Sequence, residues 1–216
     1  MIANSTSARF RALRWAVTIT IVLATAGVAC GDTPQIVRVE EDWEMVVGEP
    51  DPGSDAPQIT CAISPLGNLD SWYATFELNQ QSELTFEAGG LQLQVWEGEV
   101  LTVDRGYPNR SILMQTGEVI RWTQTMELQD NSLTFEITNG TSTTWGNFGG
   151  QGYLKASIPV SMTSLSSYSP DVSVGNSGVS YAGNRVESVV LKAVRYYTST
   201  GQVIEDNTPR VAHSHN

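Results

Sequence analysis

Lysine is nearly missing from this 216-residue chain: only Lys155 and Lys192 carry an ammonium group. Arginine does not make up the difference. Outside the first 29 residues, nine basic side chains face 23 acidic ones, a net charge of −14. A nucleic-acid binder needs a basic footprint, and electrostatic docking on anionic lipid needs a polybasic segment; the sequence excludes both. Cysteine occurs twice, at Cys30 and Cys61, so there is no cysteine pair at zinc spacing. The two histidines, His213 and His215, stand in the last four residues. They leave no base for a nucleophile–base pair elsewhere, and as a metal-chelating pair they compete with the simpler reading of a polar chain end. G-x-S-x-G, H-E-x-x-H and the phosphate-binding loop are absent too. No recognisable catalytic motif remains, and the chain reads as a non-enzyme.

Long apolar runs are also lacking. The longest, Trp15–Ala29, covers 15 residues, where a spanning helix needs about 20. It follows Arg9, Arg11 and Arg14, has no acidic residue near it, and ends in Gly27-Val28-Ala29-Cys30. A positive stretch, an apolar stretch and small residues form a secretory signal. The expected organisation is a signal peptide over 1–29, a short tether over 30–35, one domain over 36–205 and a polar tail over 206–216. The location is extracytoplasmic.

Two outcomes for Cys30 stay open. Residues 9–32 resemble a bacterial lipoprotein signal, with Ala29 before the cysteine and Gly31-Asp32 after it, although Gly27 stands where that family usually has leucine. The resemblance implies cleavage before Cys30 and lipid on its thiol, the only route by which this chain would meet a membrane. In an ordinary secretory signal, cut at Gly27-x-Ala29 or Ala24-x-Ala26, Cys30 survives and is free to pair with Cys61.

What is plentiful is glycine, serine, threonine and β-branched residues, a composition that reads as all-β. Period-2 alternation supports it. Val37, Val39, Trp43, Met45 and Val47 share a phase; so do Trp72, Ala74, Phe76 and Leu78, then Leu91, Leu93 and Val95. Ile120, Trp122, Met126 and Leu128 form another apolar face, with Gln124 the exception, and Asp130-Asn131 leads into Leu133, Phe135 and Ile137. Short strand pieces are expected around Val172-Val174 and Val179-Tyr181. Arg185–Tyr197 is apolar in both phases, which predicts a central strand covered on both sides. Eleven or twelve such strands favour a two-sheet antiparallel β-sandwich.

Residues 119–154 add a second resemblance. Val119-Ile120-Arg121-Trp122, a turn, and Leu133-Thr134-Phe135-Glu136-Ile137-Thr138-Asn139-Gly140 are similar to the central hairpin of concanavalin A-like, laminin-G-type sandwiches. The resemblance implies a jelly-roll of two curved sheets. Such folds often bind carbohydrate on the concave face or at loop tips.

The best binding candidate is the loop expected over Asn139–Gly152, which sets Trp145 and Phe148 among Asn147, threonines and glycines. Aromatic faces stack on sugars and amides take hydroxyls; the alternative is that both rings pack onto the end of the sandwich. Tyr73 and Trp96 lie on the polar side of their strands and offer a second platform, unless a loop covers them. Glu40, Asp42 and Glu44 alternate as paired catalytic carboxylates would, but a solvated strand face accounts for them better. Asp51-Pro52-Gly53-Ser54-Asp55 has oxygens for calcium, the only cofactor with any donors here, and turn chemistry explains it more simply.

The function these observations favour is a secreted or surface-held binding module whose partner is a glycan or another cell-envelope component. A structural or adhesive envelope protein and a divergent glycan-active enzyme are the alternatives.

Overall fold

The computed structural model describes residues 34–48, 57–80, 90–107, 111, 113, 115–181 and 183–215. The signal segment, Cys30 and the calcium candidate at 51–55 lie outside these residues. Among the described residues there are thirteen strands: β1 Ile36–Val47, β2 Gln58–Ile63, β3 Trp72–Gln80, β4 Gly90–Glu97, β5 Val100–Tyr107, β6 Val119–Gln129, β7 Ser132–Ser142, β8 Gly146–Phe148, β9 Lys155–Pro159, β10 Gly178–Tyr181, β11 Val186–Thr198, β12 Val203–Asp206 and β13 Arg210–Ser214. One short helix, α1, spans Pro170–Gly175.

The strands form two antiparallel sheets. The larger runs β12-β11-β1-β6-β7-β8, with β13 also on β11 and β9 also on β7; the smaller runs β10-β2-β3-β4-β5. The fold is an all-β, two-sheet antiparallel sandwich, as the alternation predicts, and of the jelly-roll kind that the resemblance of residues 119–154 implies. The β6–β7 hairpin turns through Asp130 and Asn131, at φ 49° and 61°, the left-handed pair that a two-residue hairpin loop requires.

The predicted inward faces meet in one core. Trp43, Met45, Ile120, Trp122, Phe135 and Ile137 from the larger sheet pack on Cys61, Ile63, Phe76, Leu78, Leu91 and Leu93 from the smaller. Cys61 is a buried free thiol. Gln124, the exception in its strand, is buried and donates its amide to the Cys61 carbonyl at 3.3 Å.

Glu41 occupies the remaining inward position of β1 and is 0% exposed. Its carboxylate accepts hydrogen bonds from Trp43 Nε1 at 2.9 Å and from the Tyr168 hydroxyl at 2.6 Å. Burial pushes its pKa up from 4.5 to about 7 despite these donors.

Three segments depart from the sequence reading. Val172-Val174 belongs to α1, because Pro170 fits the first helical turn and has no N–H for a sheet ladder. The end of the chain is not simply a polar tail: residues 210–214 form β13 on β11, and His213 Nε2 lies 3.2 Å from the carbonyls of Gly183 and Val186. Finally, β11 is not covered on both faces. Its register slips at Lys192, between Leu191 opposite Trp43 and Ala193 opposite Asp42. The inserted residue inverts the alternation, so Val189 and Leu191 face the core on one side of it and Val194 on the other.

A candidate binding cleft on the larger sheet

The outward side of β1 carries Glu40, Asp42 and Glu44 in a row. Asp42 stands opposite Thr123 and Glu44 opposite Arg121 on β6, flanking the Trp43–Trp122 pair that points inward. Below the sheet the two indoles lie nearly parallel, 6.3 Å apart, a stiff support for this part of the surface.

A bulge sits on either side of the β1–β6 pair at this level. On β11 the extra residue is Lys192. On β7 the register moves from Thr138 opposite Thr123 to Thr141 opposite Arg121, so Asn139 and Gly140 share the place facing Trp122. Asn139 adopts φ 54°, a left-handed conformation that asparagine tolerates better than most residues. Gly140 is needed for space: a Cβ there would lie 2.2 Å from the Phe148 ring. Bulges re-aim side chains and are common beside functional sites. Here they bring Lys192 from one flank and Asn139 from the other to a cleft of about 440 Å³, lined by Asp42, Glu44, Arg121, Thr123, Asn139, Thr141 and Lys192 above the two tryptophans.

The polar groups are held by one another. Asn139 Nδ2 donates to Thr123 Oγ1 at 3.2 Å, and that hydroxyl donates to Asp42 Oδ1 at 2.8 Å. Arg195 reaches Asp42 through Nη2 at 2.9 Å and Glu40 through Nε at 2.8 Å, while Arg38 and the Tyr197 hydroxyl also bond Glu40. Glu44 accepts from Arg121 at 2.8 Å and from Lys192 at 3.3 Å. Burial alone would raise the carboxyl pKa values. The bonds from Arg195 to Glu40 and Asp42, and from Arg121 and Lys192 to Glu44, outweigh it and hold all three below their ordinary range.

A second hollow, of about 590 Å³, shares Asn139 and Thr141 with the first and continues past Asn147 to Gln151. The hairpin behind it is fixed by Glu118, which accepts hydrogen bonds from the Thr144 N–H at 2.8 Å and from the hydroxyls of Thr144 and Ser142. Gly149 makes the return possible at φ 77°, where a Cβ would lie 2.2 Å from the Ile137 carbonyl oxygen.

The sequence-predicted residues therefore separate. Trp145 and Phe148 are not ligand platforms but core, 3% and 2% exposed. Phe148 falls on the inward phase of β8 against Phe76, 6.1 Å away, and Trp145 stands edge-on to Phe148 with its indole N–H donating to the Ser111 carbonyl at 2.7 Å. Asn147 is exposed and lines the second hollow. Tyr73 and Trp96 do come together, as a half-buried, nearly parallel pair 6.3 Å apart. They lie on the outer side of the smaller sheet, among Thr75, Gln94 and Asp104, away from Asn147. The cleft itself rests on Asp42, Glu44, Arg121, Thr123, Asn139, Thr141 and Lys192. The mid-strand Asn139-Gly140 and the phase break at Lys192 were the signals for it, since an isolated glycine in a strand pattern marks a bulge.

No protein-family model matches the sequence, and no curated protein matches it. Among solved structures the chain is similar to the crystal structure of an ancestral congerin, at 9% identity over 83% of this chain and 95% of that one, with a TM-score of 0.32.

Proposed function

We propose that this protein is an exported, non-catalytic carbohydrate-binding module that takes a glycan in the cleft between Lys192 and Asn139. The observation that carries the reading is the pair of bulges at one level of the sheet, which converge donors and acceptors on a single hollow. Arg121 and Lys192 only donate, Asp42 and Glu44 only accept, and Thr123, Thr141 and the Asn139 amide do both. A sugar hydroxyl also does both, so each ring position finds a complement. The groups sit on strands rather than on a loop, so little ordering is needed on binding. The continuation past Asn147 gives room for more than one ring.

The same electrostatics argue against hydrolysis. A glycosidase needs one carboxylic acid kept protonated to release the leaving group. Glu40, Asp42 and Glu44, the carboxyls around the cleft, are each held below their ordinary range by cations, so they serve as acceptors rather than as a general acid.

Glycan-array binding, followed by titration of the best ligand, tests the reading. Asn139→Gly keeps the left-handed backbone, removes the amide, and is expected to weaken binding about tenfold, the effect of one or two lost hydrogen bonds. An array with no bound glycan, or an Asn139→Gly protein that binds unchanged, overturns it. Export is tested separately by the intact mass of the mature protein: cleavage before Cys30 with an acyl mass added supports the lipid anchor, and an unmodified secreted chain supports the alternative.

A further inference from the structure

The ion pairs around the cleft form two separate groups. Arg38, Glu40, Arg195 and Asp42 make a closed set of two guanidinium groups and two carboxylates. Glu44 stands apart, one carboxylate between two cations, with Arg121 Nη2 at 2.7 Å and Lys192 Nζ at 3.3 Å. No other described carboxylate pairs with either cation, so this end of the cleft carries one uncompensated positive charge.

The excess stands out in a chain so acidic. Five of the nine basic residues beyond the first 29 are on the outward face of the larger sheet: Arg38, Arg121, Lys192 and Arg195 around the cleft, and Lys155 paired with Glu136. Neither head group at the charged end is buried; the Arg121 side chain is 59% exposed and that of Lys192 47%. Donors are left over as well. Glu44 occupies the Nε and Nη2 edge of Arg121, which leaves Nη1, and takes one of the three N–H groups of Lys192.

We infer that the cleft selects acidic glycans, seating the anionic group of one sugar against Arg121 and Lys192 while the ring hydroxyls meet Thr123, Asn139 and Asp42. The inference rests on the glycan-binding reading and names the ligand class within it. One negative charge per ring balances the site, whereas a neutral sugar leaves the two cations sharing Glu44. The attraction is local to Arg121 and Lys192, against a chain of net negative charge, and salt weakens it.

The experiment compares polygalacturonate with its full methyl ester, the same chain with its charges capped, by titration at low and at physiological salt. Dextran sulfate serves as a third arm, to separate carboxylate from sulfate. The acid is expected to bind at least tenfold more tightly than the ester, with the ratio shrinking as salt rises. The double variant Arg121→Gln/Lys192→Gln is expected to bring the ratio close to one, and Glu44→Gln to increase it; thermal melts establish that both variants are folded. A preference for dextran sulfate that follows the same variants keeps the acidic-glycan inference and assigns the anion as sulfate. Equal binding of acid and ester overturns the inference and leaves glycan binding standing. Binding of every polyanion in proportion to its charge, unaffected by Asn139→Gly, overturns it as simple ion exchange. Failure of all three polymers together with an empty glycan array removes both readings.

Discussion

Replacing Glu41 by glutamine is expected to make the protein more stable at pH 8 than the parent chain. Below pH 4.5 the Glu41 carboxyl is protonated folded and unfolded alike. Between 4.5 and about 7 the unfolded chain releases the proton while the buried group keeps it. The folded state then binds more protons, so stability falls as pH rises through this window and levels off above it. A shift of that size corresponds to about 3 kcal/mol, a large share of the stability of a domain this size. Glutamine cannot ionise, and the Tyr168 hydroxyl can turn to accept from its amide. Urea unfolding at pH 5 and pH 8 checks the expectation: the parent should lose clearly more stability between them than the variant, which keeps only the slope of the same sign from the buried Glu77 carboxyl, also raised by burial. Glu40, Asp42 and Glu44 slope the opposite way, because their folded pKa values are lowered. Their contribution is lost as pH falls through those lowered values, below the Glu41 window. A parent protein equally stable at both pH values would show that Glu41 is solvated or paired in the folded state.

Truncating Trp145 to alanine is expected to damage the fold and spare the cleft. The indole is enclosed, stands edge-on to Phe148 and satisfies its N–H at Ser111. Removing it opens a large cavity and loses the hydrogen bond to the Ser111 carbonyl. Buried Trp→Ala changes cost about 3–5 kcal/mol, which in a domain of this length lowers Tm by roughly 10 °C. Glycan affinity, measured well below the melting temperature and per folded molecule, should stay within a factor of two or three. The opposite pattern, intact stability with lost binding, would place the indole at the ligand.

That contrast shows what the sequence could and could not convey. Period-2 alternation identified most of the core correctly because each strand keeps one face inward throughout. It was misleading where the alternation breaks. In β11 the apolar residues on both phases resembled a doubly covered strand, yet one inserted residue at Lys192 accounts for them. In β1 the alternating Glu40, Asp42 and Glu44 stay on the outer face, while Glu41 between them lies in phase with Val39 and Trp43 and goes inside with them. A burial pattern follows the pleat, and charge yields to it when hydrogen-bond donors wait within. The segment 139–152 looked like a loop because asparagine and glycine punctuate it. Those residues in fact supply a bulge and a tight return, which let β7 run on to Ser142 and carry Phe148 into the core. The cleft draws on four strands and depends on the register between them, which no local pattern encodes.

The pairing of β1 with β11 has a consequence for how this molecule comes into being. Ile36, near the start of the domain, is matched with Thr198, near its end, and β1 sits in the middle of the larger sheet with β6 on its other side. A chain threaded through a membrane pore from its N-terminus would leave β1 without one neighbour until almost all of it had crossed. Contacts this distant along the chain also form slowly. Under the export proposed above, the arrangement would keep the chain open during passage and reserve completion of the central sheet, and with it the Lys192 side of the cleft, for the far side.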